Sequence, residues 1–169
     1  MILPIIKYGN PVLHQVCEPI TVFDHELEAL SKNMIETMYA APGYGLAAPQ
    51  VGVLKRLIVV DVTVGETTDS LIVLVNPELI NAEGDQYEEE GCLSIPDFTA
   101  KVHRPQRVIV SGQDLKGRER VVEGERVLSR VLAHEIDHLN GVLFLDHLGA
   151  IKRDIIKRKI RKKVRAGEW

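Results

Sequence analysis

The stretch from Val127 to Gly141, VLSRVLAHEIDHLNG, restricts what this chain can become more than any other, because it carries His134, Glu135 and His138 as His-Glu-x-x-His. Residues four apart lie over one another on an α-helix, so the spacing predicts a helix whose two imidazoles face one way and can grip a single metal ion. Glu135, beside the first histidine, is placed to reach a water on that ion. Val127, Val131, His134 and His138 fall on one stripe of the helix, with Leu128, Leu132, Ile136 and Leu139 on a buried flank. Gly141 supplies the stop.

The remaining residues must enclose that helix. A chain of 169 residues, 45% of them hydrophobic, suits a single domain over 1–169 with a sizeable core. The opening MILPIIKYGNP is broken by Pro4 and Lys7, too early for a signal segment and far too early for a membrane span, so the expected compartment is the cytoplasm with no membrane partner. Two cysteines make no disulfide framework, and in a reducing compartment a lone cysteine beside histidine ligands is a metal ligand or a nucleophile. Cys92 is that candidate; Cys17 reads as packing filler. The net charge of -3 conceals an asymmetry: residues 151–169 hold nine Lys or Arg against Asp154 and Glu168, which leaves the other 150 residues acidic. An acidic body with a basic tail suits a polyanionic partner for the tail.

Taken in order, Asn10-Pro11 predicts a short helix through Val16, and Asp24 caps a longer one in which Leu27, Leu30, Met34 and Met38 recur at helical spacing up to Ala41. The small residues of Gly43-Tyr-Gly-Leu-Ala-Ala-Pro-Gln50 would let another backbone come close, and nothing there ends as a phosphate-binding loop does. Strands are expected over Arg56–Thr63 and Leu71–Val75. Asn76-Pro77 reads as a turn before another strand, Glu78–Asn81. Glu88 and Glu89 read as a solvated edge leading into Cys92. Arg107–Asp114 and Arg118–Glu123 form a hairpin about Lys116-Gly117. Val142–Leu145 reads as a short strand, and Ile151–Val164 as a basic amphipathic helix with Ile151, Ile155, Ile156 and Ile160 on its apolar side. Strands without regular strand–helix alternation argue for an α+β fold.

The third metal ligand is open at this level. The extended zinc-protease pattern fails, because Phe144 stands where its last histidine belongs. Asp146 and His147 are downstream candidates, and Cys92, followed by Leu-Ser in a glycine-flanked turn, is the more specific one.

Three segments together, Gly43-Tyr-Gly-Leu-Ala-Ala-Pro-Gln50, Glu90-Gly-Cys-Leu-Ser94 and His134-Glu-Ile-Asp-His138, resemble the signature motifs of the peptide deformylase family, in that family's order and spacing. The resemblance implies mostly antiparallel β-sheets wrapped around the central helix that bears the His-Glu-x-x-His motif, plus a C-terminal helix. It implies an enzyme that removes the formyl group from the N-terminal formylmethionine of newly synthesised polypeptides. Cys92, His134 and His138 would then hold one divalent metal ion, leaving a fourth position open. Glu135 would move the proton of the attacking water, while the Gln50 amide and the Leu93 backbone N–H stabilise the oxyanion. Iron, Fe2+, is the ion the family implies, although two imidazoles and a thiolate also suit Zn2+, Ni2+ or Co2+.

The methionine pocket is expected from Val127, Arg130 and Val131 on the metal helix with Gly43, Tyr44 and Gly45, whose backbone would pair with the peptide. Glu90 is a candidate partner for a histidine's distal N–H, and Arg104 for a carboxylate near the cysteine. Ala133 departs from the family's usual glutamine and offers no side-chain hydrogen bond. The ribosome is the natural polyanion for the basic helix 151–169. Two rivals stand beside this expectation: a metallopeptidase of the same motif, and a ribosome-binding module whose metal is structural.

Overall fold

The computed structural model describes residues 1–169, in the order α1 (His25–Ala40), β1 (Gly45–Ala47), β2 (Leu57–Val60), β3 (Ile72–Glu83), β4 (Gln86–Cys92), β5 (Ile95–Arg104), β6 (Arg107–Gln113), β7 (Glu119–Glu125), α2 (Val127–Leu139) and α3 (Ala150–Arg165). The strands form two antiparallel sheets, one in the order β1-β2-β3-β6-β7 and one made of β4 and β5. The fold is α+β, as expected.

Strand β2 shows how sequence sets the layers. Its four residues, Leu-Ile-Val-Val, are all fully buried, because the strand is covered on both faces. Ile58 and Val60 pack in one core with Leu74, Val108, Val110 and, from α2, Val131, Leu132 and Ile136. Leu57 and Val59, pointing the other way, pack in a second core with Leu27, Met34 and Met38 of α1. Strand β6, by contrast, alternates buried and half-buried residues, as a strand covered on one side does. A third core joins Ile95 and Val102 of β5 to Phe144, Leu145 and, from α3, Ile156 and Ile160. The metal-motif helix therefore lies over the large sheet, while the cysteine hairpin is backed by α3.

Helix ends follow the expected chemistry. Asp24 caps α1 by accepting from the Leu27 N–H at 3.1 Å. Arg56 donates to the Leu139 carbonyl at 3.0 Å and closes the C-terminus of α2, after which Gly141 takes φ +74°.

Four local expectations are corrected. Asn76-Pro77 is not a turn between strands: β3 runs through it as one twelve-residue strand with a bulge, Asn76 taking φ +51°. The Asn76 side chain stitches that kink to distant chain, accepting from the Ile20 N–H and donating to the Ile20 carbonyl, both at 2.8 Å. Val142–Leu145 forms no strand; the chain turns there into a 3-10 helix, Phe144–His147, that sinks Phe144 and Leu145 into the third core. On α3 only Ile156 and Ile160 are buried, whereas Ile151 and Ile155 face solvent because the helix touches the body along one narrow seam. Near the N-terminus the predicted helix is a single 3-10 turn, Pro11–His14.

The end of β2 is tied to the rim that will matter below. The Asp61 N–H donates to the Tyr44 carbonyl at 2.8 Å, and the buried Asp61 carboxylate accepts from Tyr39 Oη at 2.6 Å, Thr63 Oγ1 at 2.7 Å, Thr63 N at 2.9 Å and Gly65 N at 3.1 Å. Burial pushes this carboxyl up, but the bonds from Tyr39 and Thr63 outweigh it and hold it below the usual range. The unfolded chain then takes up the proton first, so Asp61's contribution to stability is complete above the ordinary aspartate pKa of about 3.9 and drains away as pH falls through the lower folded value. Asp61→Asn is expected to cost about 1–3 kcal/mol at neutral pH and to flatten the acid limb of a plot of urea midpoint against pH.

Candidate metal centre and cleft

Helix α2 delivers its two histidines as the spacing requires. The His134 and His138 rings sit edge to face, 4.9 Å between centroids, and both side chains are buried. Strand β4 ends at Cys92, whose half-buried sulfur lies 3.3 Å from His138 Nε2. One donor atom from each of Cys92, His134 and His138 lies within 4.8 Å of the others. The downstream alternatives are elsewhere: Asp146 accepts from the Leu143 N–H at 2.8 Å, and His147 sits on Asp137 at 2.8 Å.

The donor set fits a divalent ion. His134 Nδ1 is 2.6 Å from Glu90 Oε2, so its proton is directed to the carboxylate and its Nε2 lone pair is left for the site. Burial and the neighbouring His134 hold His138 well below its ordinary pKa, the neutral form a metal needs. Burial would lower His134, but its contacts with Cys92, Glu90 and Glu135 hold it well above its ordinary pKa, so an ion must displace its proton. Two neutral imidazole nitrogens and a thiolate would then form the three-ligand set that Zn2+, Fe2+, Ni2+ and Co2+ accept.

Glu90 is the outer partner that sequence inspection proposed. Burial alone would raise its carboxyl, but hydrogen bonds from His134 and Arg104 bring it down to about 2, so it remains an anion beside the ring. Arg104 holds Glu90 through a two-pronged contact, Nε to Oε1 at 3.0 Å and Nη2 to Oε2 at 2.6 Å, and reaches Asp137 with Nη1. Asp137, one position before His138, and His147 beyond it were not assigned these roles from sequence; their only signal was a carboxylate inside the motif.

Glu135 is buried, with Oε1 3.7 Å from His134 Nε2 and Oε2 without any hydrogen-bond partner. Burial pushes its carboxyl up to about 7. A buried carboxyl near neutrality can both take and return a proton. The backbone of β1 runs directly against it: a Cβ on Gly45 would lie 2.9 Å from Glu135 Cγ and 3.0 Å from Val131 Cγ1. A Cβ on Gly43 would lie 2.8 Å from Leu93 Cδ1. Gly45 is therefore required by close approach to the buried Glu135 and Val131, whereas at Gly43 it is the end of the Leu93 side chain that would have to move.

Gln50, in the 3-10 turn Ala48–Val51, is fully buried and oriented by its own chain. Its Oε1 accepts from the Ala47 N–H at 3.0 Å, which turns Nε2 towards Ser94 Oγ at 3.1 Å and Cys92 Sγ at 3.6 Å. Leu93 occupies the turn between Cys92 and β5. Ser94, completely buried, is a further contributor that sequence left unassigned.

These groups open into a cleft of about 970 Å³. Gly43, Tyr44, Gly45, Arg130 and Val131 line it, together with Gln50, Cys92, Leu93, His134 and Glu135. Val127 does not: at the first position of α2 it lies outside the cleft, 39% exposed, and the expectation that it lines the pocket is corrected. The opposite wall, Pro96 to Thr99, belongs to β5, a strand the sequence inspection did not predict.

The chain matches the family model described as Polypeptide deformylase over residues 2–154. Among curated proteins it is 56% identical to a peptide deformylase of Acidobacterium capsulatum, over all of this chain and 99% of that one, and 51% identical to one from Thermodesulfovibrio yellowstonii, over 96% and 98%. Among solved structures it resembles the peptide deformylase of Legionella pneumophila, with a TM-score of 0.92 at 40% identity over 99% of this chain and 98% of that one. The Synechococcus elongatus peptide deformylase, solved in complex with actinonin, gives 0.88 at 39% identity over 95% and 87%.

Removing one member of the buried charge chain should be felt at the metal. Glu90→Gln is expected to weaken retention of the ion about 10–100-fold in competition with a chelator, as loss of a ligand's outer partner does. Arg104→Leu, which strands two carboxylates, is expected to cost about 3–5 kcal/mol in urea unfolding.

Proposed function

The chain belongs to the polypeptide deformylase family, a family of enzymes, and on that premise we propose that it hydrolyses the formamide at the N-terminus of newly made formylmethionyl polypeptides, releasing formate and a free amine. The observation that supports this most directly is the convergence of Cys92, His134 and His138 beside a buried Glu135, at the base of a cleft whose rim is open sheet edge.

Cys92, His134 and His138 would hold one divalent ion, which supplies Lewis acidity towards the water and the formyl oxygen. Glu135 takes the proton from water as its oxygen attacks the formyl carbon. The Gln50 amide, already turned into the site by Ala47, and the Leu93 N–H meet the negative charge that develops on the formyl oxygen. Glu135 then passes the proton to the departing amine, and the C–N bond breaks. Family resemblance favours Fe2+ as the working ion, and a thiolate beside ferrous iron would make the site sensitive to oxygen.

The methionine side chain is assigned to the space beside Val131, Tyr44 and the stem of Arg130. Strand β1 sits at the edge of the large sheet and β4 at the edge of the small one, and both line the cleft. An extended peptide can therefore bond to backbone as an added strand, with Gly43 and Gly45 allowing its approach. We place this activity in the cytoplasm, where nascent chains emerge; no helix is long and apolar enough to cross a membrane. The exposed cations of α3 support a ribosomal partner: most of its Lys and Arg residues face solvent.

Anaerobically purified protein should release formate from formyl-Met-Ala-Ser and leave the acetylated twin intact, losing activity on exposure to peroxide. Cleavage of an internal amide bond instead would indicate a metallopeptidase. Reversing the charge of Lys157, Arg158 and Arg161 together is expected to abolish salt-sensitive co-sedimentation with ribosomes while sparing tripeptide turnover; unchanged sedimentation would remove α3 as the contact.

A further inference from the structure

The segment that follows α3 reaches back to the wall of the cleft. Trp169 donates its indole N–H to the Tyr8 carbonyl at 2.8 Å, and the Tyr8 N–H donates to the Ser94 carbonyl at 2.8 Å. The Trp169 ring lies 6.2 Å from that of Phe98, centroid to centroid, at 53°. Six residues earlier, in the last turn of α3, Lys163 Nζ donates to Asp97 Oδ2 at 3.3 Å and stands 5.7 Å from the centre of the Phe98 ring. Asp97 and Phe98 belong to the cleft wall opposite β1.

That wall requires support. Asp97 takes φ +70°, in the left-handed region, which aspartate enters more readily than most residues with a side chain but still at some cost. The turn just before it carries Cys92 and Leu93, and Ser94 receives the Gln50 amide. Lys163 and Trp169, neither of which lines the cleft, therefore contact this hairpin from outside it.

We propose that Trp169, assisted by Lys163, is a positioning element that fixes the Pro96–Thr99 wall, with the Ser94 turn before it, and so sets how tightly the cleft holds a peptide. The proposal rests on the deformylase reading for its substrate. Trp169 touches neither the reacting atoms nor the donor groups, so its removal should alter binding of the peptide more than the chemical step.

The test compares the metal-loaded, full-length protein with Trp169→Ala and Trp169→Phe, the latter keeping a ring but deleting the N–H. Amide hydrogen exchange followed by mass spectrometry should show segment 93–104 of Trp169→Ala exchanging at least about threefold faster, with α1 and β2 unchanged. KM for formyl-Met-Ala-Ser should rise about fivefold with kcat within about twofold, and Trp169→Phe should fall between. Unchanged exchange and unchanged KM overturn the proposal. Faster exchange throughout the molecule with a fall in kcat and Tm also overturns it, because Trp169 would then be holding the fold in general. Should Trp169→Ala not fold, Trp169→Phe decides: faster exchange at segment 93–104 supports the clamp, and wild-type exchange there ends it. The exchange measurement needs no substrate, so its outcome is separable from that of the deformylase assay.

Discussion

The site depends on one ion pair that water hardly reaches. Arg104 and Glu90 are 4% and 5% exposed along their side chains, a placement that is costly unless each charge is fully engaged. Both are: Glu90 also meets the His134 ring, and Arg104 also meets Asp137. The four residues come from β4, β5 and α2, so the pair joins the cysteine hairpin to the histidine helix at the place where Cys92, His134 and His138 converge. The imidazole is thereby oriented before any ion arrives, and a carboxylate held at about 2 stays charged throughout the range in which a thiolate and neutral imidazole could bind metal.

What could be read from sequence was what neighbours along the chain decide. The histidine pair depends only on a four-residue period, and β2 on an uninterrupted apolar run. Asn76-Pro77 failed because its local signal is a turn, whereas bonds to Ile20, fifty-six positions away, bend the strand without ending it. Strand β5 was missed because its inward positions include Arg104, a charge whose burial makes sense only once Glu90 and Asp137 are in place. Val127 shared a stripe with Val131 but lies at the helix's first position, short of the cleft. The glycines at 43 and 45 suggested a close approach, yet nothing in the chain named Leu93 and Glu135 as the side chains they admit.

The three cores divide the labour. One fixes α2 on the large sheet, a second fixes the rim segment through α1, and the third seats the cysteine hairpin against α3. The cleft lies where these separately packed units meet, so its width reflects how they are held together as much as the residues that line it. The bonds of Asp61 at one side and of Trp169 at the other are both attachments of this sort.

The order of the ligands along the chain has its own consequence. Cys92 precedes His134 by 42 positions, and during synthesis from the N-terminus its thiol leaves the exit tunnel well before the helix that completes its surroundings exists. For that interval the sulfur is solvent-facing and unligated, open to oxidants and stray thiophilic ions alike. In the reducing compartment proposed above, that interval would be a protected maturation step, and a chain oxidised during it would fold around a damaged candidate centre.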